Sequence, residues 1–248
     1  MTIVLYGISF LIGISLGMLG AGGAIVAVPA MVYLGGIDPD LAGGYALFMV
    51  TVSSAIASVQ HIRQRLIDGR ALLEFGLPTV VSMFVVRQYV APHTDDRLQM
   101  ISFGIILMYV AIQMFRAKGT AQSANHRWKL SGFGVLVGFV SGILGVGGGF
   151  LITPALVLLA GLDMKRAVAT SLVLICINSA VGVSVDLNTG LAYDWPLVLS
   201  FTGLMSVGIY LGTIATRWVK DASLRKAFGW VVLATGIAVL LRELSTLL

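Results

Sequence analysis

Residues 17–29 have the sequence Gly-Met-Leu-Gly-Ala-Gly-Gly-Ala-Ile-Val-Ala-Val-Pro, and residues 142–154 have Gly-Ile-Leu-Gly-Val-Gly-Gly-Gly-Phe-Leu-Ile-Thr-Pro. The two phrases lie 125 positions apart, and the same spacing pairs Gly7 with Gly132, Asp38 with Asp163, and Ser54 with Ser179. Internal duplication in an apolar chain, with helices interrupted at matching places, is typical of transporters and indicates their binding site.

The composition predicts a membrane protein. The chain is 58% hydrophobic and 11% charged, with a mean hydropathy of +0.97, whereas soluble domains carry about 25% charged residues. The first apolar segment has no Lys/Arg-rich start and runs into the repeated phrase, so we expect it to belong to the fold rather than to a cleaved signal peptide. The single cysteine, Cys176, excludes a disulfide within the chain and a cysteine metal site.

The apolar pattern predicts an all-α polytopic membrane protein with about 8–10 helical segments. Long apolar stretches of roughly 20 residues can span a bilayer. We expect two inverted-topology repeats, residues 1–118 and 131–248, joined by a basic cytoplasmic linker at 119–130. Each repeat should hold a Gly-broken helical hairpin and three spanning helices. The stretches are 3–20, 22–35, 41–61, 71–91 and 98–116, then 131–145, 147–161, 166–185, 195–216 and 224–242.

The loop charges predict the orientation. At each pair of equivalent turns, one copy is basic and the other is nearly free of Lys and Arg, so the net charge of +5 reflects membrane orientation rather than nucleic-acid binding. Placing the four basic loops in the cytoplasm puts 13 of the 16 Lys and Arg residues inside and leaves Arg87, Arg97 and Arg242. The halves must then enter the membrane from opposite sides. Both termini are expected on the periplasmic or extracellular side of the cell (inner) membrane.

The glycine clusters predict a break in the helix and a binding site. A helix that starts at membrane depth presents free N–H donors and roughly half a positive elementary charge, and it survives there only when it is buried in protein or faces a wet cavity. In the inverted arrangement the two helix starts are expected to meet near the midplane and to hold a small anion. Pro29 and Pro154 should each bend the short helix that follows the break. The predicted binding glycines are Gly20, Gly22, Gly23, Gly145, Gly147, Gly148 and Gly149.

Polar residues on the third segments complete the candidate site. Ser53 is equivalent to Asn178, and Ser54 to Ser179. These side chains can coordinate an oxyanion, or they can bond between helices or to their own backbone. Glycines at four-residue spacing, such as Gly13 and Gly17, are instead expected to mark close helix packing.

At these residues the chain resembles the sulfite exporter TauE/SafE family of membrane transporters. The resemblance depends on the paired G-x-x-G-x-G-G-G/A-x4-P phrases and covers essentially the whole chain. It implies a prokaryotic-type carrier for sulfite, an organosulfonate or a related sulfur oxyanion, working by alternating access, with the lipid bilayer and a small anion as its partners. Two positions depart from the pattern, since Ala24 stands opposite Gly149, and Arg87 opposite Gly212.

Several alternatives stay open. We expect Arg87 to extend towards the membrane interface, with anion capture at the outer mouth as the second hypothesis. The pattern Gly13-Ile-Ser-Leu-Gly17 lacks the strand-to-helix context of a nucleophilic serine, so no catalytic residue and no enzyme is predicted. No metal, cofactor or nucleic-acid site is predicted either. An anion channel or a non-transport membrane protein, a homo-oligomer, the coupling ion, the direction of transport and the identity of the anion are left undecided.

Overall fold

The fold was analysed in a computed structural model, which describes residues 2–20, 22–90, 96–116, 127–144, 148–188 and 190–245. These ranges contain helices and no β-strand. In chain order the helices are α1 (Thr2–Leu19), α2 (Gly22–Tyr33), α3 (Pro39–Arg63), α4 (Gly69–Glu74), α5 (Gly76–Tyr89), α6 (Asp96–Arg116), α7 (Arg127–Leu144), α8 (Gly149–Leu158), α9 (Met164–Asn188), α10 (Trp195–Ala215) and α11 (Asp221–Ser245). A short 3-10 turn, Thr216–Trp218, follows α10.

The helix boundaries repeat with the spacing of the sequence. Moving α1 by 125 positions gives the bounds of α7, and moving α3 gives those of α9. The start of α6 maps onto the start of α11 in the same way. One helix differs between the halves, because the stretch expected at 71–91 is interrupted at Phe75 into α4 and α5, whereas α10 is continuous.

Six helices are long and apolar enough to cross a membrane, three in each half. They are Leu41–Arg63, Gly69–Tyr89, Gln99–Arg116, Met164–Asn188, Trp195–Trp218 and Asp221–Arg242. Shorter apolar helices, namely Tyr6–Leu19, Leu130–Leu144 and Gly149–Leu158, flank the breaks. The prediction of an all-α polytopic membrane protein with a broken hairpin and three spans in each half is therefore confirmed.

Equivalent helices of the two halves lie side by side and run antiparallel. Cys176 Sγ of α9 donates to the Thr51 carbonyl of α3 at 3.7 Å, and these two positions are the midpoints of their 25-residue helices. Away from this crossing, Gly44 near the start of α3 lies next to Asp186 near the end of α9. The helices α6 and α11 pack in the same antiparallel sense, because Gly104 lies against Leu240 and Phe115 against Gly229.

Glycines allow the broken hairpins to pack closely on the opposite half. A Cβ added at Gly13 of α1 would overlap the Met205 carbonyl oxygen of α10, and one added at Gly208 would overlap the Phe10 carbonyl oxygen. The equivalent seam joins α7 to α5, where a Cβ at Gly138 would overlap the Thr79 carbonyl oxygen. Small residues let helix backbones approach in this way in membranes, so the packing role expected of these glycines is confirmed.

The basic loops lie together at one end of the helix bundle. The backbone N–H of Asp68 donates to Thr170 Oγ1 at 3.0 Å, which ties the loop after α3 to the start of α9. Lys165 Nζ donates to the Arg217 carbonyl at 3.4 Å, which ties the start of α9 to the turn after α10. We call this the His61 end. The opposite end, where α5 and α9 finish, is called the Arg87 end, and the helix directions place the start of α1 and the end of α11 there.

Candidate functional site

The first glycine cluster breaks the helix, as the sequence predicts. Helix α1 ends at Leu19, and Gly20 adopts φ +74°, a left-handed conformation that glycine tolerates best. Gly22 and Gly23 are the first two residues of α2, and Pro29 lies buried within this helix. A Cβ at Gly20 would lie 2.8 Å from Ser171 Oγ of α9, so the break sits directly against the second half.

The second cluster also breaks the helix. Helix α7 ends at Leu144, Gly148 has φ +72° and caps α8, and Gly149 is the first residue of α8. Pro154 lies buried within α8. The predicted site residues Gly145 and Gly147 lie outside the described residues.

Ser171 connects the first break to the helix that follows the second. Its hydroxyl lies 2.9 Å from the Val168 carbonyl and 3.5 Å from the Gly20 carbonyl, and it accepts a hydrogen bond from Thr153 Oγ1 of α8 at 2.9 Å. Ser171 and Thr153 are both fully buried. This contact fixes the depth of α8 relative to α9 and to the first break.

Asn178 lies on the side of α9 that faces this contact. It is seven residues after Ser171, which is nearly two helical turns and about 10.5 Å further along the same face. Helices α8 and α9 are joined by only five residues, 159–163, so they form an antiparallel pair. Gly149 therefore lies about 6 Å beyond Thr153 in the direction of Asn178. The start of α8 is thus within about one turn of the depth of Asn178.

The Asn178 side chain is fully buried without hydrogen-bond partners. Neither its Nδ2 nor its Oδ1 has a partner among the described residues, and the same holds for Oγ of the adjacent Ser179, which is also fully buried. Burying an amide without compensation is costly, commonly about 1–3 kcal/mol. Two neighbouring polar side chains with open bonding capacity, near the start of a helix at the centre of the bundle, have the chemistry of an anion site.

The equivalent residues of the first half are satisfied internally. Ser53 Oγ pairs with Ser206 Oγ of α10 at 3.3 Å, and Ser54 Oγ donates to the carbonyl of Val50 one turn earlier. Both serines are fully buried. The structure therefore divides the four predicted polar site residues, with open bonding capacity at Asn178 and Ser179 only.

Two layers separate Asn178 from the Arg87 end. One turn beyond Asn178, the side chains of Leu47, Met83 and Val183 pack into a buried apolar cluster around Gly182. One further turn along α9, the Asp186 carboxylate accepts two hydrogen bonds from Arg87, at 2.9 Å from Nε and 3.0 Å from Nη2.

This ion pair corrects the expectation for Arg87. The side chain does not extend to the interface, because it is held by Asp186, and the two side chains are only 10% and 6% exposed. Asp186 was assigned to a loop, but α9 continues to Asn188 and buries it. No local sequence signal connects two residues 99 positions apart, although an arginine inside an apolar segment requires a buried partner.

The His61 end differs at the equivalent positions. His61 is the counterpart of Asp186, and Gly212 is the counterpart of Arg87. His61 is 2% exposed, and neither ring nitrogen has a hydrogen-bond partner among the described residues. Ser58, the counterpart of Val183, is also buried with an unpartnered hydroxyl. Among described residues, no group of three His, Cys, Asp or Glu side chains could hold a metal ion.

The fold and the site together define a multi-pass membrane protein of the transporter class, in which two broken hairpins reach a buried polar centre. The model of the sulfite exporter TauE/SafE family matches residues 5–239. The chain belongs to this family of membrane transporters.

Similar proteins occur in bacteria and archaea, and each is named a probable membrane transporter protein. The chain is 31% identical to one from Xylella fastidiosa strain Temecula1, over 99% of this chain and 97% of the relative. It is 31% identical to one from Methanocaldococcus jannaschii, over 71% and 68% of the two chains, and 26% identical to one from Haemophilus influenzae, over 94% and 95%. No solved structure matches the chain.

Proposed function

We propose that the protein moves a small anion, a sulfite, organosulfonate or related sulfur oxyanion, across the cytoplasmic membrane by alternating access. The anion is held at Asn178 and Ser179, between the starts of α2 and α8. The family description, sulfite exporter, motivates the choice of sulfur oxyanions. The observation that carries the proposal is the fully buried, unpartnered amide of Asn178 near the depth where α8 begins.

Neutral donors and helix starts suit a carrier. The amide and hydroxyl groups can donate hydrogen bonds to an oxyanion, while the helix starts supply partial positive charge without a fixed cation. A full positive charge in a medium of low dielectric constant would bind the anion strongly and slow its release. The polar centre has none, since α8 contains no basic residue and the arginine closest to it along α5 is neutralised by Asp186.

The orientation follows from helix direction and charge. Equivalent spanning helices that run antiparallel, as α3 and α9 do, support two repeats of inverted topology. The clustering of basic loops at the His61 end supports a cytoplasmic position for that end under the positive-inside rule. The Arg87 end and both termini are then periplasmic. In this arrangement, residues 1–118 and 131–248 act as two bodies around the central site.

Alternating access is supported by the layers around Asn178. Towards the Arg87 end, the anion would have to pass the apolar cluster of Leu47, Met83 and Val183 and then the ion pair. Towards the His61 end, it would have to pass the contact of Ser171 with Thr153 and Gly20. Opening one barrier while the other stays closed releases the anion to one side at a time.

The test combines transport with stability. Purified protein in vesicles should show saturable counterflow of labelled sulfite or an alkanesulfonate. The variant Asn178→Leu should lose this counterflow and, because it removes an unsatisfied buried amide, should raise the free energy of unfolding by about 1–3 kcal/mol. Ser184→Ala is the matched control, since this exposed α9 hydroxyl bonds only to the Ala180 carbonyl and should leave both quantities unchanged.

The outcomes separate the alternatives. Large unsaturable currents would replace the carrier by a channel. An Asn178→Leu protein that is less stable than the wild type would show that the amide has a structural partner, and the site would then lie elsewhere. Wild-type counterflow in that variant would also refute the assignment.

A further inference from the structure

We propose that the Asn178 site selects its substrate by charge: it takes singly charged oxyanions of the sulfonate type and rejects doubly charged ones such as sulfate and thiosulfate. The inference rests on the proposed transport function and narrows the substrate class within it. For sulfite, the transported species is then the hydrogensulfite monoanion.

The side chains around the site contribute no net charge. The helices α2, α8 and α10 contain no acidic or basic residue. On α9, Asp186 lies eight residues after Asn178, about 12 Å away, and its charge is balanced by Arg87. In the other direction, Arg166 lies twelve residues before Asn178, about 18 Å away, and is exposed to solvent.

The compensating positive charge comes from the backbone. Each helix start carries roughly half an elementary charge, so the starts of α2 and α8 supply about one unit together. Their first turns consist of glycine and apolar residues, so no acidic side chain offsets this potential. The contact of Ser171 with Gly20 and Thr153 holds the first break against the second short helix, so both helix starts belong to one centre.

The charge of the ligand then decides the balance. A monoanion is neutralised by the two helix starts, whereas a dianion leaves about one negative charge buried without a counter-charge. An uncompensated charge of this kind should weaken binding by at least about 100-fold. The neutral groups of Asn178 and Ser179 can donate to either ion, so they contribute affinity without distinguishing between them.

Methanesulfonate and methylphosphonate provide a matched pair of probes. The two ions have nearly the same shape, but only methylphosphonate loses a second proton across the neutral pH range. Binding of both to the purified full-length protein would be measured by titration calorimetry as the pH is raised. Methylphosphonate should weaken by at least about 100-fold relative to methanesulfonate as its second proton dissociates. Methanesulfonate corrects for any change in the protein itself.

The results separate this inference from the function on which it rests. Equal or tighter binding of the methylphosphonate dianion overturns the charge rule while leaving an anion site in place. Failure of sulfite, sulfate and both probes to bind overturns the proposed function as well.

A gain-of-function variant protects the test from misfolding. Asn178→Lys adds one positive charge at the site and should shift the preference towards the dianion by at least about tenfold, while Asn178→Gln keeps a neutral amide and should leave the preference unchanged. An unaltered preference in a lysine variant that still binds anions would overturn the charge rule, and the reversed preference would support it.

Discussion

The ion pair between Arg87 and Asp186 makes a quantitative prediction about the closed Arg87 end. We consider Arg87→Leu and Asp186→Leu separately and together. Each single substitution leaves one buried charge without its partner, whereas the double substitution replaces the pair by apolar side chains.

The expected magnitudes follow from burial. Arg87 exposes 10% of its side chain and Asp186 6%, and the two form a bidentate contact. Removing one partner of such a pair costs about 3–5 kcal/mol, while replacing both is often neutral or stabilising by about 1–4 kcal/mol. For a protein of this size, each kcal/mol changes the melting temperature by about 2–4 °C. Each single variant should therefore melt about 6–20 °C lower, and the double variant should recover the loss.

Thermal unfolding of the purified protein measures these shifts, and the chain contains its own control. Arg70 forms an ion pair with Glu74 at 3.1 Å, but its side chain is 70% exposed, so Arg70→Leu should change stability by less than about 1 kcal/mol. If Arg87→Leu changed the melting temperature no more than Arg70→Leu does, the Arg87 side chain would be solvated and the argument from burial would be wrong. Additive losses in the double variant would equally contradict a direct pairing.

Two further predictions concern packing and pH. Gly208→Ala should destabilise the protein by about 1–3 kcal/mol, because the new methyl group would overlap the Phe10 carbonyl oxygen, whereas Gly203→Ala on the same helix, with open space around it, should gain up to about 1 kcal/mol. Equal thermal shifts in these two variants would contradict the close packing of α10 on α1. Tyr193 lies between the spans, donates to the Gly44 carbonyl at 3.1 Å, and has its pKa raised by burial and by the nearby Asp186 carboxylate. Only the unfolded tyrosine then ionises just above pH 10, so stability should be constant below that pH and fall above it; Tyr193→Phe should lose about 1 kcal/mol at neutral pH and reduce the fall, and an unchanged alkaline profile would contradict the raised pKa.

The architecture was predictable because hydropathy and duplication act over whole segments. A span of some 20 apolar residues is favourable in lipid whatever its neighbours are, so all six long helices appear where the composition places them. The glycine breaks were predictable for a local reason, since the left-handed conformations of Gly20 and Gly148 are ones that glycine adopts readily.

The site was only partly predictable because it depends on pairs of residues. Asn178 and Ser53 occupy equivalent positions, yet Ser53 meets Ser206 while Asn178 has no partner among the described residues. That difference is set by what the opposite helix offers, which composition does not record. Asp186 shows the same limitation. Its charge marks the end of an apolar stretch, but Arg87 allows the helix to continue past it with the carboxylate buried.

The two ends of the bundle have diverged while the backbone repeat persists. With two identical repeats, the states open to either side would have equal free energy. In this chain the Arg87 end has an apolar cluster and an ion pair, while the equivalent positions at the His61 end include Ser58, His61 and Gly212. Under the proposed mechanism, opening the Arg87 end separates a buried ion pair, whereas opening the His61 end exposes unpartnered polar groups to water, which favours opening. The free carrier should therefore rest open to the His61 side. Because the gradient sets the direction of passive movement, this asymmetry determines the resting state and leaves the direction of net flow to the anion concentrations.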